Sequence, residues 1–301
     1  MQALQGRKES LHALAFSADN RFLVVGGTAC RVDVWDLADP TAKRPLFPKM
    51  HCTVGDVWIG PDGQTILAAD IEGRVDRLRR DAPRVRDQYL PSDCRTTATP
   101  RITPDGDGLV TGHTPIRCEF AAGAVPVWQA PEPTGPPSVA FAYAIAPDGR
   151  HLAAGETLSE RPYSISGHRV AVYDMGGSAG PRVFGAVSKF VKRVAWAPDG
   201  AHLAAAVDTR VLVWRADGTR AGEFRSPGTK HVIGLAFHPS GRWLAVADNA
   251  GAVRLLDVST WAEVRCFDWG LPKARSVCFS PDGTLAAAGS DTGRVVVWDV
   301  D

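Results

Sequence analysis

One turn signature recurs seven times in this chain of 301 residues, and that recurrence limits the fold more than any other feature. The copies are Ser17-Ala18-Asp19-Asn20, Pro61-Asp62-Gly63, Pro104-Asp105-Gly106, Pro147-Asp148-Gly149, Pro198-Asp199-Gly200, Pro239-Ser240-Gly241 and Pro281-Asp282-Gly283. Their central residues are separated by 43, 43, 43, 51, 41 and 42 positions, the period of a four-stranded unit. A unit of that size cannot bury its apolar faces alone, so the copies must stack on one another.

Each copy has a physical rationale. Pro presets φ at the second turn position, Asp can bond its own backbone, and Gly accepts positive φ. Before the turn lies a half-buried strand, as in Leu14-Ala15-Phe16, Val194-Ala195-Trp196, Leu235-Ala236-Phe237 and Val277-Cys278-Phe279. After it comes a second strand of small apolar residues, such as Leu203-Ala204-Ala205-Ala206 and Leu285-Ala286-Ala287-Ala288. Small side chains there let neighbouring units approach closely near a common axis. A third strand closes on a bulky residue, as in Val32-Asp33-Val34-Trp35, Val170-Ala171-Val172-Tyr173 and Val295-Val296-Val297-Trp298. Fourth strands are less apolar, as outer edges should be, and Arg44-Pro45-Leu46-Phe47 and Arg182-Val183-Phe184 are examples. No stretch sustains a helical period with caps, so the chain reads as all-β.

Composition narrows the functional classes. With 45% hydrophobic residues a chain of this length can bury a large core. A formal net charge of +1 supplies no global field for nucleic acid or an anionic membrane. Neither an apolar leader nor a span of membrane length is visible, which leads us to expect a cytoplasmic protein. The six cysteines (Cys30, Cys52, Cys94, Cys118, Cys266 and Cys278) are scattered singly, so we expect reduced core fillers and no metal site.

At Trp35-Asp36 and Trp298-Asp299 the third strand ends in Trp-Asp, and together with the Pro-Asp-Gly turns this resembles the WD-repeat β-propeller family over essentially the whole chain. The resemblance implies a seven-bladed β-propeller of four-stranded antiparallel blades. The blades run approximately over 10–49, 53–92, 96–132, 138–187, 190–226, 231–268 and 274–301 with 1–6. It also implies a buried hydrogen-bonded tetrad in each blade, but only parts of it survive. Asp70, Asp208, Asp248 and Asp291 occupy the loop-Asp position, while Gly-His pairs are missing and Val246 or Ala287 stands where a hydroxyl is expected. Blade cohesion should then rest on apolar packing. The third copy is the most divergent, with Phe120 replacing Trp and Trp128 assigned to the outer strand. The last repeat stops one strand short at Val300-Asp301, so the segment Met1-Gln2-Ala3-Leu4 is expected to complete that blade and remove a free edge.

For propellers of this family the loops on the top face commonly bind partners. The insertion Glu156–His168 in the fourth repeat, which produces the spacing of 51, is there either a binding loop or a tolerated solvated one. The candidate partner-binding residues are Arg95, Arg161, Tyr163, Phe190, Lys192, His231, Trp269 and Arg275, a basic and aromatic set suited to an acidic or phosphorylated protein segment. Arg74, Arg77, Arg79, Arg80, Arg84 and Arg86 are interleaved with Asp76, Asp81 and Asp87 and read as a self-compensated rim, without the stacking aromatics of a nucleic-acid site. Gly176-Gly177-Ser178-Ala179-Gly180 fits the nucleophile-elbow pattern but is followed by Pro181 and a strand, so it reads as a turn.

The expected function is therefore a non-catalytic protein-protein interaction scaffold, monomeric on its own, with no cofactor, nucleic-acid or membrane partner. The alternatives are a propeller enzyme of the lactonase or lyase kind, or a small-ligand sensor, using the central channel. Those would need inward carboxylates and histidines at the top of the first strands, where Asp56 and little else is evident; the axial strands read as mostly apolar or small.

Overall fold

The computed structural model describes residues 1–42, 44, 47–84, 86–89, 100–112, 114–120, 125–131, 138–161, 164–227 and 231–300. The chain opens with β1 (Gln2–Gln5). Blade one is β2 (Leu11–Phe16), β3 (Phe22–Gly27) and β4 (Val32–Asp36). Blade two is β5 (Val54–Ile59), β6 (Thr65–Asp70), β7 (Val75–Arg79) and β8 (Arg86–Tyr89). Blade three is β9 (Arg101–Ile102), β10 (Gly108–Thr111), β11 (Ile116–Glu119) and β12 (Val125–Gln129). Blade four is β13 (Ser138–Ile145), β14 (His151–Arg161), β15 (Ser164–Asp174) and β16 (Arg182–Val187). Blade five is β17 (Val191–Trp196), β18 (His202–Val207), β19 (Arg210–Arg215) and β20 (Arg220–Arg225). Blade six is β21 (Val232–Phe237), β22 (Trp243–Asp248), β23 (Ala252–Asp257) and β24 (Glu263–Asp268). Blade seven is β25 (Ala274–Phe279), β26 (Leu285–Ser290) and β27 (Arg294–Asp299), completed by β1.

The sheets are antiparallel, and their first strands pack in a ring that closes where β25 meets β2, giving an all-β seven-bladed propeller. Blade one shows three strands among the described residues; its expected fourth strand, at 44–47, lies partly outside them. Closure follows the expectation: Gln2 to Gln5 pair with Val297 to Arg294. Leu4, 3% exposed, packs with Leu11, Val295 and Val297, so the amino-terminal strand is an apolar joint as well as an edge cover.

The recurring turns have the geometry their residues require. Asn20 has a φ of 59°, and the six turn glycines lie between 63° and 79°. Each of these seven residues donates its N–H to the carbonyl three residues back, at 2.8–3.0 Å. The preceding Asp caps the next backbone N–H, as where Asp199 accepts from Ala201 at 2.8 Å. Small residues on the second strands admit the neighbouring blade. A Cβ on Gly26 would stand 2.4 Å from Val54 of blade two, and one on Gly155 2.5 Å from Val191 of blade five.

The tetrad is incomplete, as expected. The indole N–H groups of Trp35 and Trp298 are buried without a partner. Trp298 instead packs against Trp269, ring centroids 4.5 Å apart, and Trp35 lies 4.0 Å beneath the Arg44 guanidinium. Phe120 follows β11 and stacks on Tyr89 at 5.0 Å, while Trp128 belongs to the outer strand β12. Gly176–Gly180 connects β15 to β16 as a turn, with no helix after it.

The insertion in the fourth repeat is a different object from the loop read in the sequence. Residues 156–161 and 164–168 extend β14 and β15 into a long hairpin whose two strands are eleven residues each, with Glu156 opposite Arg169 and Thr157 opposite His168. The physical reason is that the insertion brings its own pairing partners. β13 lengthens alongside to pair Ser138 with Leu158, and buried Glu156 accepts hydrogen bonds from Arg169, at 2.6 Å, and from the Tyr173 hydroxyl.

Candidate functional site

Each inner strand begins at what we call the top face and ends at the bottom in a recurring turn. Six of these strands carry a bulge near the top, and the extra residues are His12, Gly55, Phe141, Lys192, Ile233 and Arg275. A bulge leaves one residue out of the ladder and re-aims its side chain. Three of the six are basic, and Arg193 and Asp56 stand one position further along.

The inner strands are mostly apolar or small, as the sequence suggested, but a few charged residues stand at their top ends. Asp56 and Arg101 form a closed pair. One carboxylate oxygen accepts from Arg101 at 3.0 Å and the other from the Ile102 N–H at 2.9 Å, while the Arg101 Nε donates to the Tyr143 carbonyl at 3.1 Å. Arg193 reaches from blade five to blade one, its Nη2 3.5 Å from the His12 carbonyl. Burial, then Arg193 and Arg275, hold the His12 imidazole down at about 4, so it is neutral at pH 7. Burial and then Arg101 pull Arg193 down to about 9, with Asp56 acting the other way, so its guanidinium stays charged. Lys192 is lowered by burial and by Arg275 while Asp208 opposes the shift. The Nε of Arg275 is buried without a hydrogen-bond partner.

The structure brings together part of the set expected from sequence. Lys192 and Arg275 meet at the axial mouth, and His231 lies beside it, its Nδ1 2.8 Å from Asp208, the carboxylate that faces Lys192. Phe190, 38% exposed, packs against the bulged Phe141 at 4.9 Å and the ring of His168 at 6.2 Å, at the base of the hairpin. Trp269 is half-buried against Phe267 at 5.1 Å and Trp298, so blade packing accounts for it. Arg95 and Tyr163 lie outside the described residues; Arg161 ends β14, and its side chain is likewise outside them.

His12, Arg101 and Arg193 escaped the reading of the sequence. The missing signal was an alignment on the turns. His12, Lys192 and Arg275 each stand seven residues before the central turn residue, and Asp56 and Arg193 six before.

Other charged and concave features are differently built. Along the rim of blade two, Arg79 pairs with Asp81 at 2.7 Å, Arg74 with Glu72 at 3.5 Å, and Arg80 lies over the Phe22 ring at 3.6 Å. A cavity of about 430 Å3 opens on the bottom face between blades two and three, bounded by Trp58, Tyr89, Phe120, Asp62 and Asp105. Among the described residues no group of His, Cys, Asp and Glu side chains is placed to hold a metal, and Cys30, Cys52, Cys118, Cys266 and Cys278 are free thiols.

Comparison with known proteins agrees with this architecture. The family described as WD domain, G-beta repeat matches residues 1–36, 181–215 and 272–299, and the anaphase-promoting complex subunit 4 WD40 domain matches residues 205–272. The chain is similar to the meiotic recombination protein rec14 of Schizosaccharomyces pombe, 31% identical over 106 residues, 34% of either chain. It is also similar to the target of rapamycin complex subunit wat1 of the same organism, 24% identical over 118 residues, 39% of this chain and 37% of the relative. A third relative is the WD repeat-containing protein VIP3 of Arabidopsis thaliana, 32% identical over 98 residues, 32% of this chain and 30% of the relative. The matches span about a third of the length of these curated relatives.

Proposed function

The chain belongs to the WD-repeat β-propeller family, and from that premise we propose that it is a non-catalytic scaffold whose top face grips an acidic or phosphorylated segment of a partner protein. The observation that carries the reading is the contrast in charge pairing. Arg74 and Arg79 at the rim are matched by neighbouring carboxylates, whereas among the described residues Lys192, Arg193 and Arg275 at the axial mouth outnumber the carboxylates that face them, Asp56, already bonded to Arg101, and Asp208. Cations held together in this way attract an anionic partner and set its orientation. Phe190 and Phe141 beside them offer the apolar contact that a bound segment needs. Membership of one relative in a multiprotein complex, the target of rapamycin complex subunit wat1, is in keeping with a scaffold.

Binding to such a surface is salt-sensitive. The test is capture of partners from the native host by wild type, by a Lys192→Glu, Phe190→Ala variant, and by Arg79→Glu as a rim control. The top-face variant should lose the partner, by about tenfold or more in affinity, while the rim control keeps it. Retention of the same partners by the top-face variant removes the reading. The same reading has the chain working as a cytoplasmic monomer, which light scattering and cell fractionation would check.

A further inference from the structure

Three aromatic rings meet at the bottom face where the repeat does not call for them. The cavity between blades two and three is walled by Trp58 of the inner strand β5, Tyr89 of the outer strand β8, and Phe120, which follows β11. Their positions are fixed before any guest arrives. The Trp58 indole N–H donates to the Pro104 carbonyl at 3.1 Å, and its ring lies on Gly106, where a Cβ would stand 2.6 Å from it. Tyr89 and Phe120 stack with centroids 5.0 Å apart. Phe120 is buried, whereas Trp58 and Tyr89 keep part of their surface open to the cavity.

The border of that cavity is negative. Asp62, Asp105 and Asp107 line it. The arginines whose charges act on Asp62 and Asp105 have carboxylates of their own: Arg79 pairs with Asp81 at 2.7 Å and Arg117 with Glu119 at 3.6 Å. Arg77, which also borders the cavity, stands opposite Asp87 in the ladder of β7 and β8. The turn carboxylates project charge but have few lone pairs to spare, since Asp62 already accepts three bonds from Gln64 and Thr65, and Asp105 one from the Asp107 N–H at 3.1 Å. A guest rich in N–H donors would leave some of them unsatisfied against the rings. A cation that carries only alkyl groups on its nitrogen needs no acceptor, and is held by ring faces and by the field.

We propose that this cavity binds a small quaternary ammonium ion, seated against the rings of Trp58, Tyr89 and Phe120 with the three aspartates supplying the counter-charge. Its volume of about 430 Å3 suits a small molecule. A cavity of about the same volume between blades four and five shows what the rings add. It has Asp148 and Asp199 from the corresponding turns but a single ring, Trp196, and it is bordered by Arg182 and by His151, whose Nδ1 lies 2.5 Å from Asp148. The recurring carboxylates are thus common to both places, and the aromatic trio belongs to one.

The test is calorimetric titration of the purified full chain with choline, with its neutral isostere in which carbon replaces the ammonium nitrogen, and with butylammonium, all at matched ionic strength. Saturable binding of one choline per chain is expected, with the neutral isostere and butylammonium each weaker by about tenfold or more. Tyr89→Leu should weaken choline binding by about fivefold or more, while Tyr89→Phe, which keeps the ring, should bind as the wild type does. Asp107→Asn, at an exposed position, should weaken it by about twofold to threefold, and it carries the test if Tyr89→Leu does not fold. Absence of saturable choline binding, equal affinity for the neutral isostere or for butylammonium, or wild-type affinity in either Tyr89→Leu or Asp107→Asn overturns the proposal. The cavity lies on the face opposite the one proposed for the partner, so its failure and loss of partner capture are separate results.

Discussion

The same inner strands end differently at their two mouths. At the bottom, six carboxylates recur at one repeat position, and their surroundings satisfy them. Asp62 accepts from the Gln64 and Thr65 N–H groups at 2.9 Å and from the Thr65 hydroxyl at 2.8 Å. Asp282 is held down at about 2, first by the Thr284 N–H and then by the Ser280 hydroxyl. At the top the charged positions are filled in only some of the blades, and among the described residues the cations outnumber the carboxylates that face them. A charge repeated in nearly every blade and bonded to its own backbone belongs to folding. One that appears in three blades and exceeds the carboxylates facing it has no such explanation in the fold, which is why the partner is placed at the top.

The contrast depends on ring closure, which sets the strand of His12 beside that of Arg275. Removing residues 1–6 should therefore have the largest effect. It strips β1 from β27 and uncovers the cluster around Leu4, at a cost on the order of 5 kcal/mol from lost burial and strand hydrogen bonds. Calorimetry should show a fall in melting temperature of roughly 10 °C or more; an unchanged melt would mean that the joint lies elsewhere. A smaller effect is expected at one bottom turn. Asp282→Ala leaves the Thr284 N–H and the Ser280 hydroxyl without their acceptor and should cost about 1–2 kcal/mol in denaturant unfolding. It should leave partner capture unchanged, and an effect there would blur the division between the two ends.

The bottom was legible in the sequence and the top only in part, for a reason that lies in strand geometry. Pro, Asp and Gly act locally, so Pro198-Asp199-Gly200 declares its turn without reference to any other blade, and the period follows from counting. Closure by β1 was legible because one strand was missing and one was spare. The axial residues obey a different rule. Alternation assigns inward and outward faces only while the register holds, and in six inner strands a bulge breaks it beside His12, Gly55, Phe141, Lys192, Ile233 or Arg275. Past that point a count by twos puts the wrong side chain on the axis. The hairpin of blade four was missed for the opposite reason. Glu156 and Arg161 gave its sequence the look of a solvated loop, yet Glu156 is buried because Arg169 and Tyr173 come with it on the facing strand.

The finest probe of the comparison is the acid limb of stability. His12 has its folded value depressed from 6.5 to about 4, whereas an unfolded chain takes up the proton near the ordinary value. The folded state thus gives up stability as pH falls from about 6.5, and the loss is complete below about 4. Burial is the largest cause, followed by the charges of Arg193 from β17 and Arg275 from β25. At roughly pH 5.5 the loss assignable to this residue is about 1 kcal/mol once water in the mouth is allowed for. His12→Gln should therefore unfold with a shallower decline between pH 6.5 and 4 than the wild type, with the two curves parallel above pH 7. Parallel curves through the whole range would show that neither burial nor those arginines hold the His12 imidazole neutral, and the contrast between the two mouths would lose its axial half.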